Sequence, residues 1–148
     1  MAKKKRFIFL TNEFYEAYPA ELYPEIEQKQ NRPYIQVYVE INGIQYAIPL
    51  RSEIHHPHVL WTDKKNHCGV DFSKAVVITD EKYIDMLTEP YIRKNEFDAL
   101  RGKDYKIKVK MEKYIEKYKK AKQDSSKKHN QNLVKYSTLQ YFEKEIGI

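Results

Sequence analysis

The stretch YIQVYVEINGIQYAIPL, residues 34–50, constrains the fold more than any other part of the chain. Both halves are rich in β-branched and aromatic residues, which fit a pleated, half-buried surface. Asn42-Gly43 between them is the dipeptide that a two-residue type I′ turn requires, since both central residues need positive φ. The segment therefore reads as a hairpin of strands 34–41 and 44–50. Pairing across the turn sets Ile41 opposite Ile44, so partner numbers sum to about 85. Residue 34 then faces residue 51. Pro49 has no N–H to give to a ladder, which predicts an edge or a bulge there.

Other elements follow from local signals. RFIFLT (6–11) is a short apolar strand, and TNEFYEAY begins a short helix with Thr11 or Asn12 as N-cap. Residues 19–33, with Pro19, Pro24 and Pro33, read as loop. Residues 51–73 read as a long polar loop holding a short strand at Val59–Trp61. KAVVI (74–78) is a buried strand. TDEKYIDML predicts a short helix to about Leu87, and NEFDALRG a helical turn stopped at Gly102. QDSSKKHNQN (123–132) reads as a linker. Ser137 and Gln140 match a capping box, which predicts a last helix over 137–146. No internal repeat is visible. The sum is an α+β class, a small antiparallel sheet with helices packed on it.

Helical periodicity is clearest from Lys103 to Lys122. Ile107, Met111, Tyr114, Ile115, Tyr118 and Ala121 recur at three- and four-residue spacing and form one apolar stripe. Lys106, Lys110, Lys113, Lys117 and Lys120 form a second stripe, roughly 120° round the helix. The chain's charge sits here. Residues 1–102 carry 14 basic against 15 acidic residues, whereas residues 103–128 carry 11 lysines against 4 acids. The net +6 and a pI near 9.2 thus come from one segment. A localised basic surface suits a polyanion, although a solvated lysine-rich helix has the same composition. Thirteen tyrosines favour RNA, because unstacked bases need faces to stack on. The basic Lys3-Lys4-Lys5-Arg6 run and Tyr34 join the lysine stripe as expected RNA contacts.

A chain of 148 residues fits one domain with one core. The apolar FIFL run is too short for a signal peptide, and no segment approaches the roughly 20 apolar residues of a membrane span. A single cysteine, Cys68, excludes an internal disulfide framework and suits a reducing cytoplasm.

The exit of the hairpin's second strand, IPLRSEIHHPH (48–58), places three histidines within four residues. His55, His56 and His58, with His67 and Cys68, contain enough donors for zinc on paper. Adjacent histidines point to opposite sides of an extended chain, however, and no CxxC or HExxH spacing exists. A solvated loop is the plainer reading. A third uses different residues. Metal-independent RNA cleavage needs a base for the 2′-OH, donors for the phosphorane, an acid for the leaving 5′-oxygen and in-line geometry. Arg51 offers a bidentate fork, Ser52 a hydroxyl and His55 a group that titrates near neutrality. The hairpin register brings Arg32 near Arg51 and Ser52, and two such cations repel unless an anion joins them. With four glycines and no Gly-rich loop, the chain does not read as a kinase or a P-loop protein.

At these residues the sequence resembles a known family. RPYIQVYVEINGIQYAIPLRS, a long loop and GVDFSKAVVI are similar to the ToxN/AbiQ family of bacterial type III toxins, most closely its CptN-like and TenpN-like branches. The resemblance runs from the first strand to the terminal YSTLQYFEKEIG and is strongest over residues 32–52 and 69–78. It implies a toxin endoribonuclease with a highly twisted antiparallel sheet like that of MazF and Kid. It implies metal-independent cleavage of A-rich single-stranded RNA, cellular mRNA included, by 2′-OH attack, leaving a 2′,3′-cyclic phosphate. It also implies inhibition by a small repeat RNA, a pseudoknot, in closed protein–RNA assemblies. No cofactor is implied. The family's Pro-Leu-x-Ser serine falls on Ser52. Its basic residue before the first long strand falls on Arg32, where better-known members have lysine. Arginine does not titrate, so Arg32 becomes a clamp on the transition state and proton transfer is expected to pass to a histidine, His55 first, then His56, then His58.

Overall fold

The computed structural model describes residues 6–28 and 33–148. Among these the architecture is α+β, with a six-stranded, wholly antiparallel sheet and five α-helices. The hairpin is its centre. Strand β2 (Gln36–Ile41) pairs with β3 (Ile44–Arg51) in the expected register, from Ile41 opposite Ile44 to Gln36 opposite Pro49. Asn42 and Gly43 both have positive φ, 53° and 79°, as a type I′ turn requires. Strand β1 (Phe7–Ile8) adds to the free side of β2. Helix α1 (Asn12–Ala17) follows it as the sequence predicts, with Thr11 at the N-cap position.

Pro49 is neither at an edge nor in a bulge. The Leu50 N–H bonds to the Ile35 carbonyl on the β2 side, so the Pro49 nitrogen faces the opposite side. There β3 changes partner: β6 (Val76–Val77) pairs with Tyr46 and Ala47, and β5 (Cys68–Asp71) pairs with Leu50 and Arg51. The proline fills the gap between two partners, where no ladder donor is wanted.

The segment 51–73 is more ordered than a long loop. Strand β4 (Val59–Asp63) confirms the short strand expected at Val59 and extends it, and β5, which the sequence does not announce, returns beside it. The strands can be this close because residue 69 is glycine. A Cβ there would lie 2.5 Å from the Leu60 carbonyl oxygen and 2.8 Å from Val59 Cγ2.

Helix α2 (Lys94–Leu100) ends before Gly102, which has φ of 70°. Helix α3 (Asp104–Gln123) buries the six expected residues, Ile107, Met111, Tyr114, Ile115, Tyr118 and Ala121. It packs on β2 and against the C-terminal helices. The tyrosine hydroxyls at its inner face fix those helices. Tyr114 donates to Ser137 Oγ at 2.7 Å, and Tyr118 to Glu143 at 2.5 Å.

Three local expectations need correction. Residues 80–87 form only a single 3₁₀ turn, Glu81–Tyr83, capped by Asp80. The expected linker is in part a helix, α4 (Lys128–Lys135), with Leu133 and Val134 packed against the core. The final segment is a 3₁₀ turn, Thr138–Tyr141, followed by the short α5 (Glu143–Ile146). Ser137 does cap, accepting from the Leu139 N–H. Gln140 does not complete a box: its amide donates to the carbonyls of Val134, Lys135 and Ser137, closing α4 rather than opening the next turn.

The Gly69→Ala variant is expected to lose about 1–3 kcal/mol, because backbone and a branched side chain would both have to give way. Urea denaturation checks it, with Gly43→Asn, at an open turn position, as a near-neutral control.

Candidate functional site

The exit of β3 is organised by a carboxylate. Asp71 is fully buried at the end of β5. Arg51 lies opposite Gly69, so Asp71 is its diagonal neighbour two residues along the same face. The Arg51 guanidinium meets Asp71 Oδ2 at 2.5 Å and Glu27 Oε1 at 3.1 Å. Asp71 Oδ1 accepts from the Ser73 hydroxyl at 2.6 Å and the Ser73 N–H at 3.0 Å. Glu27 Oε2 accepts from the Tyr34 hydroxyl at 3.4 Å. Burial alone would raise the Asp71 pKa; the bonds and charge of His56, with Ser73 and Arg51, outweigh it and hold the carboxyl below its ordinary range. For Arg51, burial works against the charge, and Glu27 and Asp71 restore it. The Arg51 charge is therefore met by two carboxylates of the protein, Glu27 and Asp71.

The three loop histidines separate. Ile54 is buried and its N–H bonds to the His67 carbonyl, which pins the loop. His55 is exposed and its ring lies 4.8 Å from that of His67. His56 turns inward. Its Nε2 is 3.2 Å from both Asp71 Oδ2 and Ser73 Oγ, and its Nδ1 accepts the His58 N–H at 3.1 Å. With Nδ1 accepting, Nε2 carries the proton and donates. Both ring nitrogens are thus engaged, and His56 is a brace within the network rather than a group free to move a substrate proton. Nor do Ser73, His56 and Asp71 form a nucleophilic triad. One nitrogen serves both partners, where a triad needs two, and Ser73 is buried. His58 is partly buried beside Tyr114, 5.4 Å between rings. Burial, then the Lys117 and His56 charges, push its pKa down to about 4, against a smaller opposing effect of Asp71.

Among the described residues no group of three histidine, cysteine or acidic side chains could hold a metal ion. His55 and His56 face different neighbours, as their adjacency in an extended segment suggests.

In front of the carboxylate network lies a pocket of about 410 Å³. Arg51, Ser52 and Tyr34 line it, together with Tyr91, Arg93 and Cys68. Ser52 is exposed on its rim. Tyr91 and Arg93 were not singled out from sequence, since they precede α2 in an irregular segment. Tyr91 is 87 % exposed, and exposed Arg93 has no ion pair with a described residue, while the Glu96 carboxylate lines the same pocket. Burial, and the Cys68 thiol's proximity to Asp63 and Glu96, raise its pKa, which disfavours a thiolate there. Two residues beside Ser52 and Cys68, Glu53 and His67, hold positive φ of 57°, the left-handed region that non-glycine residues rarely occupy. Asp71 and Glu27 were also missed. An acid within the otherwise apolar run GVDF was the available signal for the first.

The basic surface divides as well. Lys106, Lys113, Lys117 and Lys120 are exposed and Lys110 is half-buried, and none has an ion pair with a described residue. Arg6 departs from expectation: it pairs with Asp104 at 2.6 Å and donates to the Leu100 carbonyl, so it anchors the start of α3 and is not a free cation. Lys3, Lys4, Lys5 and Arg32 lie outside the described residues. Most tyrosines are committed to packing. Tyr18, Tyr23, Tyr83 and Tyr141 cluster with Phe14 and Phe142, and Tyr46, Tyr114 and Tyr118 are buried. Tyr91, Tyr105 and Tyr136 are the largely exposed ones. Among the described residues no helix is long and apolar enough to cross a membrane.

Neither a family model, nor a curated protein, nor a solved structure matches the chain.

Removing the central carboxylate, Asp71→Ala, is expected to cost about 3 kcal/mol, because Arg51 is left partly buried with one of its two partners gone. Ser52→Ala, at an exposed position, should change stability by less than about 0.5 kcal/mol. Chemical denaturation separates the two. Stability should also fall with pH in two steps. His58 has a folded pKa near 4 against an ordinary 6.5, so the unfolded chain binds the extra proton in that interval and stability rises with pH across it. Asp71 has a depressed folded pKa, so its contribution is present above 3.8 and lost as pH falls below that. Melting temperature against pH checks this, with His58→Asn expected to flatten the upper step.

Proposed function

We propose that the chain is a toxin endoribonuclease of the type III kind, acting on A-rich single-stranded RNA at the β3 exit and held in check by a structured repeat RNA bound to its basic face. The observation that carries this reading is the pocket itself. Ser52 and Arg51, which match the family pattern Pro-Leu-x-Ser, open into about 410 Å³ of space with two tyrosine faces and a second arginine. This is the composition a nucleotide needs: cations and a hydroxyl for the phosphate, rings for the bases.

In this mechanism the 2′-oxygen attacks phosphorus, its proton passes to a base, and the P–O5′ bond breaks as the 5′-oxygen takes a proton. Ser52 donates to a non-bridging oxygen. Arg93, without an ion pair to a described residue, supplies positive charge, and Arg51 is held rigidly behind it. His55, three residues after Ser52 in the chain though outside the pocket lining, is the proton carrier of choice, since His56 has both nitrogens engaged. Arg32 remains a candidate clamp on the strength of the resemblance. The lysines of α3, with Lys3, Lys4 and Lys5, grip the antitoxin backbone. The MazF- and Kid-like form of the sheet belongs to the same proposal.

A second reading has its own support. Arg51 already spends its charge on Asp71 and Glu27, which suits a non-catalytic RNA-binding module whose strand end is structural.

The two readings part in one assay. Purified protein is incubated with a labelled A-rich oligoribonucleotide in EDTA, and products are examined for 2′,3′-cyclic phosphate ends. The toxin reading expects cleavage, a loss of about 10²-fold or more in Ser52→Ala, and a comparable loss in His55→Ala. Wild-type protein that binds the RNA without cutting it supports the binding module. In cells, induced wild type should arrest growth where Ser52→Ala does not. Binding to the lysine face should weaken steeply with salt, and a flat response would remove the phosphate contacts.

A further inference from the structure

On the far side of the Asp71 network from Ser52, a second recess of about 220 Å³ lies between the Pro57–Val59 turn and helix α3. Its α3 wall carries Lys110, Lys113 and Lys117, with Tyr114 between them, and His58 faces them from the turn. The lysines of α3 that do have carboxylate partners lie elsewhere, Lys119 with Glu116 and Lys122 with Glu143. The Tyr114 hydroxyl is spent on Ser137. The recess thus gathers three cations without a described counter-ion around one imidazole. Such an arrangement is held together against its own repulsion and is relieved by an anion.

We infer that this recess is a subsite for one backbone phosphate of bound RNA, and that His58 takes up a proton as the phosphate enters. The inference rests on the reading of α3 as the RNA-facing helix and deepens it. In the empty recess the groups facing His58 are Lys110, Lys113, Lys117 and Tyr114 from α3, His56 from its own loop and Asp71 from β5. Burial and the neighbouring positive charge disfavour the imidazolium, and the Asp71 charge is already taken up by Arg51, His56 and Ser73. A phosphate reverses the balance: it screens the lysines and gives the imidazolium an acceptor. The charge state of the recess then depends on whether RNA is present. Because the His58 N–H bonds to His56 Nδ1, this change is one residue contact from the brace behind Arg51.

The test measures the affinity of a short fluorescent oligoadenylate by anisotropy at fixed ionic strength, from about pH 8 to about pH 5.5. Wild type should bind more tightly as pH falls, by up to about tenfold per pH unit for one proton taken up. His58→Asn should lose most of the slope. Lys113→Gln with Lys117→Gln should weaken binding throughout. Because the chain holds four other histidines, the difference between wild type and His58→Asn is the quantity that decides. The His58 ring, followed by NMR in wild type, should titrate at higher pH with oligoadenylate than without. Equal slopes in wild type and His58→Asn, or an unmoved His58 titration in the presence of bound RNA, overturn the subsite and leave the RNA reading standing. Absence of any wild-type binding at low salt overturns both.

Discussion

The buried carboxylate of Asp71 is the contact on which the strand-end region depends. A lone carboxylate with no exposure would not stay ionised, and this one does because an arginine, a histidine and two Ser73 donors converge on it. Each of those partners comes from a different stretch of chain. Arg51 ends β3, His56 belongs to the following loop, and Ser73 opens the turn that leads to β6. Arg51 then reaches Glu27, and Lys74, next to Ser73, reaches Glu25 and the Tyr136 carbonyl. The described part of the 19–28 loop and the start of the C-terminal region are thus tied to the same point. A network this dense fixes the rim on which Ser52 stands, the rigidity that the proposed phosphate site requires.

What was legible in the sequence is what local chemistry decides. Asn42-Gly43 determines its turn by backbone sterics alone, and the turn determines the register down to Gln36 opposite Pro49. The α3 pattern carries six core contacts in one helical stripe, a signal that no neighbour needed to reinforce. What escaped depends on partners far along the chain. Cys68–Asp71 is a strand because β3 and β4 lie on either side of it, and its glycine, a poor strand former in isolation, is required by their closeness. Lys128–Lys135 looks like a linker because histidine and asparagine favour helices weakly. It is held by Asn130 on the Asp124 carbonyl, by Gln131 on Ser125, and by α3.

The site was legible in the same partial way. The nearness of residue 51 to the chain just before β2, Tyr34 included, follows from register. Charge compensation does not follow from register. Glu27 precedes the hairpin in an irregular loop and Asp71 lies in the strand beside β3, so nothing local marks them as partners of Arg51. The tyrosines teach the reverse lesson. Their number suggested stacking platforms, yet packing against phenylalanines and burial under hydroxyl bonds account for most of them. An aromatic count speaks to bases only after the core has taken its share, and Tyr91 at the pocket is what remains with a clear view of Ser52.

These assignments move the electrostatics away from the motif that first draws attention. Arg51, expected at the chemistry, and Arg6, expected to contact RNA, are both paired with carboxylates within the fold. Among the described residues, the cations without an ion pair include Arg93 at the pocket and Lys110, Lys113 and Lys117 at the recess beside His58. Arg51 with Asp71 and Glu27 forms a rigid cluster of one cation and two carboxylates, which does not attract an anion. A polyanion crossing this surface would therefore feel attraction at two separated places, with ordered structure that does not attract it between. Two separated attractions constrain direction as well as position, because a strand held at both ends lies along the line joining them. For a reaction that requires a 2′-oxygen, a phosphorus and a leaving oxygen in line, fixing the path of the backbone is the part of catalysis that charge placement alone can supply.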